Sequence, residues 1–227
     1  MMLLGGLNNV REQGTAVRTP VEIRDEYIDS LNHIRSAYGK ICGQVGRGHL
    51  LSFPDIHKLS EGLFLSALTY WEALCQDLML ADLATVGSGA LLSEIKQFRT
   101  KNAPYRLAER MLNHPDHPEK FVEWSTFESI VTRANEFLGA GHRYALTAAE
   151  KQDLAKIKKI RNAIAHKSDK AWENFYSLIR GAPFSLTGVQ CRGVTPGRFI
   201  YAHQWGGVTV MEKSLTVLEN AARTLVP

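Results

Sequence analysis

Lys158-Lys159-Ile160-Arg161-Asn162-Ala163-Ile164-Ala165-His166-Lys167 sets an arginine, an asparagine and a histidine among apolar residues at helical spacing. Just upstream, Leu146-Thr147-Ala148-Ala149-Glu150 sets Thr147 and Glu150 at capping-box spacing, so a helix is expected to open there and run through the quoted residues. On a regular right-handed helix Leu154, Ile157, Ile160 and Ile164 form one apolar stripe. Arg161, seven residues past Leu154, falls near the edge of that stripe, and Asn162 and His166, four apart, share the neighbouring sector. A guanidinium, an amide and an imidazole thus border a core-facing helix, where an arginine rarely sits without a partner or a task. Two readings follow from the pattern alone. Arg161 pairs with a carboxylate at the core edge and His166 rests at a helix C-terminus, where a cation is favoured, or the three groups form a site. On an undistorted helix Arg161 and His166 point about 140° apart, at ~100° per residue. A site therefore needs a helix end or bend near Ala165, or a second copy of the motif, to bring them together.

Working outward, the other helices announce themselves by caps and periodicity. Thr19-Pro20-Val21-Glu22 predicts a helix with Ile23, Tyr27, Leu31, Ile34 and Tyr38 inward and Gly39 as its stop. A longer helix is expected from about Ser52 to Thr85, with Ile56, Leu59, Leu63, Tyr70, Leu74 and Leu78 on one face. Leu65, Leu68, Cys75 and Met79 make a second face, which predicts burial on two sides, against its own bundle or against a second subunit. Glu72 interrupts that second face. An unpaired buried carboxylate is costly, so Glu72 is either an orienting partner for Arg161 or His166, a structural ion pair, or a rim residue. Short helices are expected at 91–98 and 104–112, and His114-Pro115-Asp116-His117-Pro118 reads as a rigid surface turn in preference to a metal site. Trp124-Ser125-Thr126-Phe127-Glu128 predicts another capping box, with Phe127, Ile130, Val131, Ala134, Phe137 and Leu138 inward. Trp172, Phe175, Tyr176 and Ile179 mark a further helix ending near Gly181, and Thr209 caps the last, with Met211, Leu215, Leu218, Ala222 and Leu225 inward.

Between these last two, residues 182–207 are punctuated by glycine and proline and suggest a small hairpin or an ordered loop. Arg192, Arg198, Tyr201, His203 and Trp205 mix basic and aromatic groups as single-stranded RNA surfaces do, a composition equally expected of a loop tucked against the core. The expected fold class is all-α, an up-and-down four-helix-like bundle with flanking helices. Residues 1–18 read as a flexible terminus and 19–227 as one helical domain.

Composition narrows the function classes. The 227 residues carry a net charge of +4, with 44% hydrophobic and 22% charged residues, ordinary for a globular chain and permissive of RNA phosphates without requiring them. Three cysteines without C-x-x-C spacing argue against a disulfide framework or a thiolate metal site and suit a reducing cytoplasm. Nothing resembles a membrane span or a signal peptide.

Arg161-Asn162-x-x-x-His166, ending a helix in an all-helical chain, resembles the motif of the HEPN superfamily of metal-independent ribonucleases, and looks most like its prokaryotic RNase-L-like branch. The resemblance covers roughly 52–179, and an aromatic-Glu pair like Trp71-Glu72 is common there. It implies a helical bundle that dimerises so that two motifs face one cleft, with no cofactor and no metal. Arg161, Asn162 and His166 are then the catalytic residues, Glu72 a support, and Lys158, Lys167, Arg192 and Arg198 weaker RNA contacts. The implied activity is an endoribonuclease in a toxin or antiphage defence system, acting on RNA through the 2′-hydroxyl and held in check by an antitoxin or other regulatory protein. Ser168 stands where HEPN toxins paired with nucleotidyltransferase antitoxins carry a modified tyrosine, so neutralisation of that kind is not expected. The competing class is a catalytically silent helical module that binds RNA or a protein.

Overall fold

The computed structural model describes residues 18–46, 48–86, 124, 126–166 and 168–227. The short helices and the His-Pro-Asp-His turn expected at 91–118 lie outside those residues, as do Lys167 and all but the last residue of the terminus read as flexible. Arg18, that last residue, is held in place: its guanidinium lies 2.6 Å from both Glu26 and Asp77.

Seven helices and one minimal hairpin make up the described residues, so the fold is all-α. They are α1 (Pro20–Cys42), α2 (Phe53–Val86), α3 (Phe127–Phe137), α4 (Ala148–Ala165), α5 (Asp169–Arg180), α6 (Pro196–Ala202) and α7 (Val210–Leu225). Strands β1 (Gln204–Trp205) and β2 (Val208–Thr209) pair antiparallel across Gly206-Gly207, both at positive φ.

Capping explains most of the helix starts. Thr19 with Glu22 and Thr147 with Glu150 each form the reciprocal box, and Thr209 accepts from the amide of Glu212. Two expectations are corrected. Thr126 makes no side-chain cap for α3, because its hydroxyl accepts from the Lys158 ammonium instead. Gly39 does not stop α1, since a lone glycine weakens a helix without breaking it. The chain continues to Cys42 and closes at Gly43, whose amide reaches back to the carbonyl of Gly39.

Polar pairs at the helix ends give the topology. Arg24 near the start of α1 bonds the carbonyl of Val226 beyond the end of α7, while Arg35 further along α1 meets Glu219 of α7. Arg18 before α1 reaches Asp77 late in α2. Arg143 and Tyr144, preceding α4, hold Asp82 at the far end of α2, whereas Arg161 late in α4 meets Glu72. Thr224 at the end of α7 bonds Glu150 at the start of α4. Each neighbouring pair is antiparallel, so α1, α2, α4 and α7 form the up-and-down bundle.

Residues of all seven helices join one apolar cluster. The inward face of α2 differs from the expected one. Phe64, Ala67, Trp71, Leu74 and Leu78 are buried, while Leu59 and Tyr70 stay 42% and 44% exposed. The second face is real but is met within the chain, since Leu68, Cys75 and Met79 are buried in this core. From Asp77 to Leu83 every residue is buried, which leaves that end of α2 enclosed on all sides.

The stretch 182–207 holds turns, the short α6 and the hairpin. Gly197 lets α6 approach α2 closely: its amide donates to Glu61 Oε1 at 3.0 Å, and a Cβ there would lie 2.8 Å from that oxygen. No helix of the described residues is long and apolar enough to cross a membrane.

Candidate active site

The motif sits where α4 stops. Its buried stripe is Leu154, Ile157, Ile160 and Ala163, with Ile164 half-buried, so α4 presents Arg161 and Asn162 at the border of the core. Ala165 is the last helical residue. His166 is the C-cap, with extended backbone (φ −116°, ψ 108°), its amide donating to the carbonyl of Asn162 at 2.8 Å. That departure from helical geometry swings the imidazole back along the helix. Its Nε2 lies 3.2 Å from Arg161 Nη1, and the same Nη1 donates to Asn162 Oδ1 at 3.2 Å. The helix end therefore joins arginine and histidine within one chain.

A guanidinium can only donate. A hydrogen bond between the two therefore requires Nε2 of His166 as the acceptor, which is the tautomer with its proton on Nδ1. His166 is exposed, so the ring faces solvent with the arginine behind it. On the far side of the guanidinium, Nη2 lies 3.6 Å from Glu72 Oε1, with both side chains about 30% exposed (27% and 31%). Glu72 thus pairs with Arg161, one of the readings open from sequence. Arg161 is held between a carboxylate on α2 and the amide and imidazole of its own helix.

The cluster lies at the lip of a cleft of about 280 Å³ between α2, α3 and α4. Trp71, Phe127, Leu154 and Ile157 supply an apolar floor, and Trp71 is braced from behind by Tyr27, ring centroids 6.1 Å apart. Lys151, Lys158, Lys159 and Arg161 border it, with Glu72 and Glu128 as the acidic members. Cys75, fully buried near Glu72, is no nucleophile: burial, then the nearby carboxylate, pushes its thiol far above the usual range.

The remaining candidates divide. Lys158 lines the cleft and bonds Thr126. Lys167 lies outside the described residues. Arg192 and Arg198 are exposed but belong to another region, for α6 docks on His57 and Glu61. Burial, then the charge of Arg198, holds His57 below the usual imidazole value. Glu61 precedes Glu72 by eleven residues, about 16 Å along α2 at 1.5 Å per residue, so these arginines are not drawn into the cleft. Trp205 is buried, with the Lys156 ammonium 5.4 Å over its ring, which leaves it unavailable for base stacking. Among the described residues no group of three or more His, Cys, Asp or Glu side chains could hold a metal ion.

The apolar floor and Lys151, Lys159 and Ala155 were not foreseen as site residues. Lys151, Ala155, Lys158 and Asn162 do recur at three- and four-residue steps, a signal for one more face of α4. No family model, curated protein or solved structure matches the chain.

Proposed function

We propose that the protein is a metal-independent endoribonuclease that cleaves RNA by attack of the 2′-hydroxyl on the adjacent phosphodiester. The observation that carries the reading is the Nη1–Nε2 contact of 3.2 Å between Arg161 and an exposed His166 at the lip of a cationic cleft. As Arg161 turns its Nη1 donor to the phosphate, His166 Nε2 is freed and accepts the 2′-hydroxyl proton while the 2′-oxygen bonds to phosphorus. Arg161 donates to the phosphate oxygens, where charge grows in the pentacovalent state, and Asn162 orients the same group. The P–O5′ bond breaks, and the departing 5′-oxygen takes its proton from the second copy's His166 in a homodimer, which acts in its protonated, imidazolium form and is left neutral. The products are a 2′,3′-cyclic phosphate and a 5′-hydroxyl. Exposed Phe53, Leu59 and Tyr70 on α2 offer apolar surface for such a dimer. A cytoplasmic toxin or antiphage enzyme, restrained by an antitoxin or regulatory protein, is the setting that suits this chemistry.

The pairing of Arg161 with Glu72 favours a second reading, a silent bundle in which these groups only tie α4 to α2. Wild type, Arg161→Ala and His166→Ala, each with unchanged helical CD and melting, are incubated with single-stranded RNA in EDTA. Each substitution is expected to lower cleavage at least ~10²-fold, the scale of losing an acid–base group or a charge-stabilising donor. Undiminished cleavage by His166→Ala would overturn the mechanism, and absence of cleavage by wild type would leave the silent bundle.

A further inference from the structure

We infer that the seat of α6 on α2 is an acid-labile joint: His57 and His203 hold it while both imidazoles are neutral, and their protonation releases the segment 182–207 from the bundle. The inference is independent of the RNA reading, since the joint stands well along α2 from Glu72 and Arg161.

Close packing makes the joint sensitive. The backbone of α6 meets α2 at Gly197, where a methyl group would run into the carbonyl of His57 and the carboxylate of Glu61. At the same place His57 lays its ring against Tyr201 of α6, centroids 5.8 Å apart. His203 is the C-cap of α6 and lays its ring against buried Phe199 at 5.2 Å. Its amide donates to the Phe199 carbonyl at 3.2 Å, and its own carbonyl accepts from Val210 at 2.9 Å, so it also ties α6 to the start of α7. Both imidazoles are half-buried, and Nδ1 of His203 is shut off from water with no hydrogen bond of ordinary geometry. Each packs as an uncharged aromatic ring, and a charge placed there loses much of its hydration.

The ring faces of Tyr201 and Phe199 would favour a cation, but the charges around the joint oppose one. On α6 there is Arg198, and on α2 there are Lys58 and Glu61. Arg192 stands in the turn before α6. Lys156 of α4 lies over Trp205 and pairs with Asp153. At the start of α7 Glu212 is turned toward Arg35 of α1, beside Lys213. From α5 the contact with α6 is the uncharged pair Phe175 and Phe199. Glu61 is the carboxylate at the joint, and it is already engaged. Its Oε1 accepts from the Gly197 amide at 3.0 Å and its Oε2 from the Lys58 ammonium at 2.7 Å. Two imidazolium charges beside Arg198 therefore find that carboxylate taken.

Burial, then the Arg198 charge, hold both imidazoles below the usual value, against smaller pulls from Glu61 on His57 and from the Arg198 carbonyl on His203. With the folded values below the unfolded ones, the stability of the seat is fully present above the ordinary imidazole value. It is lost as pH falls past that value and through the folded ones. A seven-residue helix flanked by turns opens more readily than the long helices of the bundle, so the loss is local.

Amide hydrogen exchange of the full chain at pH ~7.5 and ~5, corrected for the pH dependence of the chemical step, tests the joint. Both values lie above the ordinary carboxylate range, so histidines are the side chains that change charge between them. Amides of α6 and the hairpin are expected to lose protection about tenfold at the lower pH, an ordinary size for coupling between a bound ligand, here the proton, and a conformational step. Amides in the middle of α1 should keep theirs. The double variant His57→Gln, His203→Gln is expected to protect α6 equally at both pH values. Unchanged protection of α6 in wild type would overturn the joint, as would loss shared equally with α1, or a double variant as acid-sensitive as wild type. Should the glutamines themselves unseat α6 at pH ~7.5, titration of the ring protons of wild type by NMR decides. Both imidazoles titrating below the free value sustain the inference, and either one titrating at or above it overturns it.

Discussion

Among the described residues Arg161 makes three polar contacts, and they are not equivalent. Asn162 belongs to its own helix and His166 caps it, so of these three only Glu72 ties the guanidinium to a second element. Replacing Glu72 with glutamine keeps the shape and removes the charge. The arginine then loses its anchor on α2 while both reacting groups remain. Cleavage is expected to fall about tenfold in kcat with KM little changed, since misplacement of a positioned group acts on the transition state. A merely structural pair would lower the melting temperature and leave kcat of the folded fraction intact. A different residue-scale constraint operates at Gly197, where the backbone of α6 meets His57 and Glu61 without room for a methyl group. Gly197→Ala should cost about 1–3 kcal/mol in urea unfolding, the range for forcing an atom into packed surroundings. Because α6 lies far along α2 from Glu72, its cleavage rate per folded molecule should be unchanged.

Among the elements, α4 carries the chemistry at its end and its stability at its start. The Thr147 hydroxyl accepts from the Glu150 amide at 3.2 Å, and the Glu150 carboxylate accepts from Thr147 and from Thr224 of α7. Thr147→Ala should cost about 1 kcal/mol, the usual worth of such a cap. Burial alone would raise the Glu150 carboxyl, but the hydrogen bonds from Thr224 and Thr147 outweigh it and hold it below its ordinary value. With the folded value below the unfolded one, this contribution is fully present above the ordinary carboxylate range and is lost as pH falls through it. Thermal melts from pH ~5 to ~3 should therefore fall less steeply for Glu150→Gln than for wild type. The cap and the stripe of α4 were legible because both are local patterns. The approach of His166 to Arg161 was legible only as one of two alternatives, a helix end near Ala165 or a second copy, since it depends on the residue at which the last turn stops. The face of α2 was misjudged for a related reason. Leu59 and Tyr70 lie at the margin of a face whose true centre is nearer Phe64 and Trp71, and in a 34-residue helix packed along much of its length neighbours decide the rotation.

At the scale of the whole molecule, one buried network joins three chain segments at the end of the bundle opposite the motif. Asp82, 5% exposed, accepts from Arg143 and from the hydroxyl of Tyr144, and Arg143 also reaches the carbonyl of Leu225. Asp82→Ala would leave a partly buried guanidinium facing apolar neighbours and should cost about 3 kcal/mol by chemical denaturation, the lower end for a broken buried pair because Arg143 retains contact with water. The four long amphipathic helices were legible one by one, but the resemblance covered only 52–179, and α1 and α7, which complete the bundle, lie outside that span. The partners of Asp82 were not, because they stand sixty residues away in sequence, and charge pairing at that distance leaves no periodic trace. The same limit hid the cleft: its floor joins Trp71, Phe127 and Ile157, which share no local pattern.

Only position 167 separates the C-cap of α4 from Ser168, whose hydroxyl accepts the Ala171 amide and starts α5. The imidazole is thus spliced between two helices with no slack on either side. One residue inserted before His166 would turn it by ~100° and carry it off the guanidinium, and one removed would drag α5 from its seat on the core. The five-residue step between the two side chains is in this architecture a mechanical dimension, and length variation at this junction would be far more damaging than most changes of residue type.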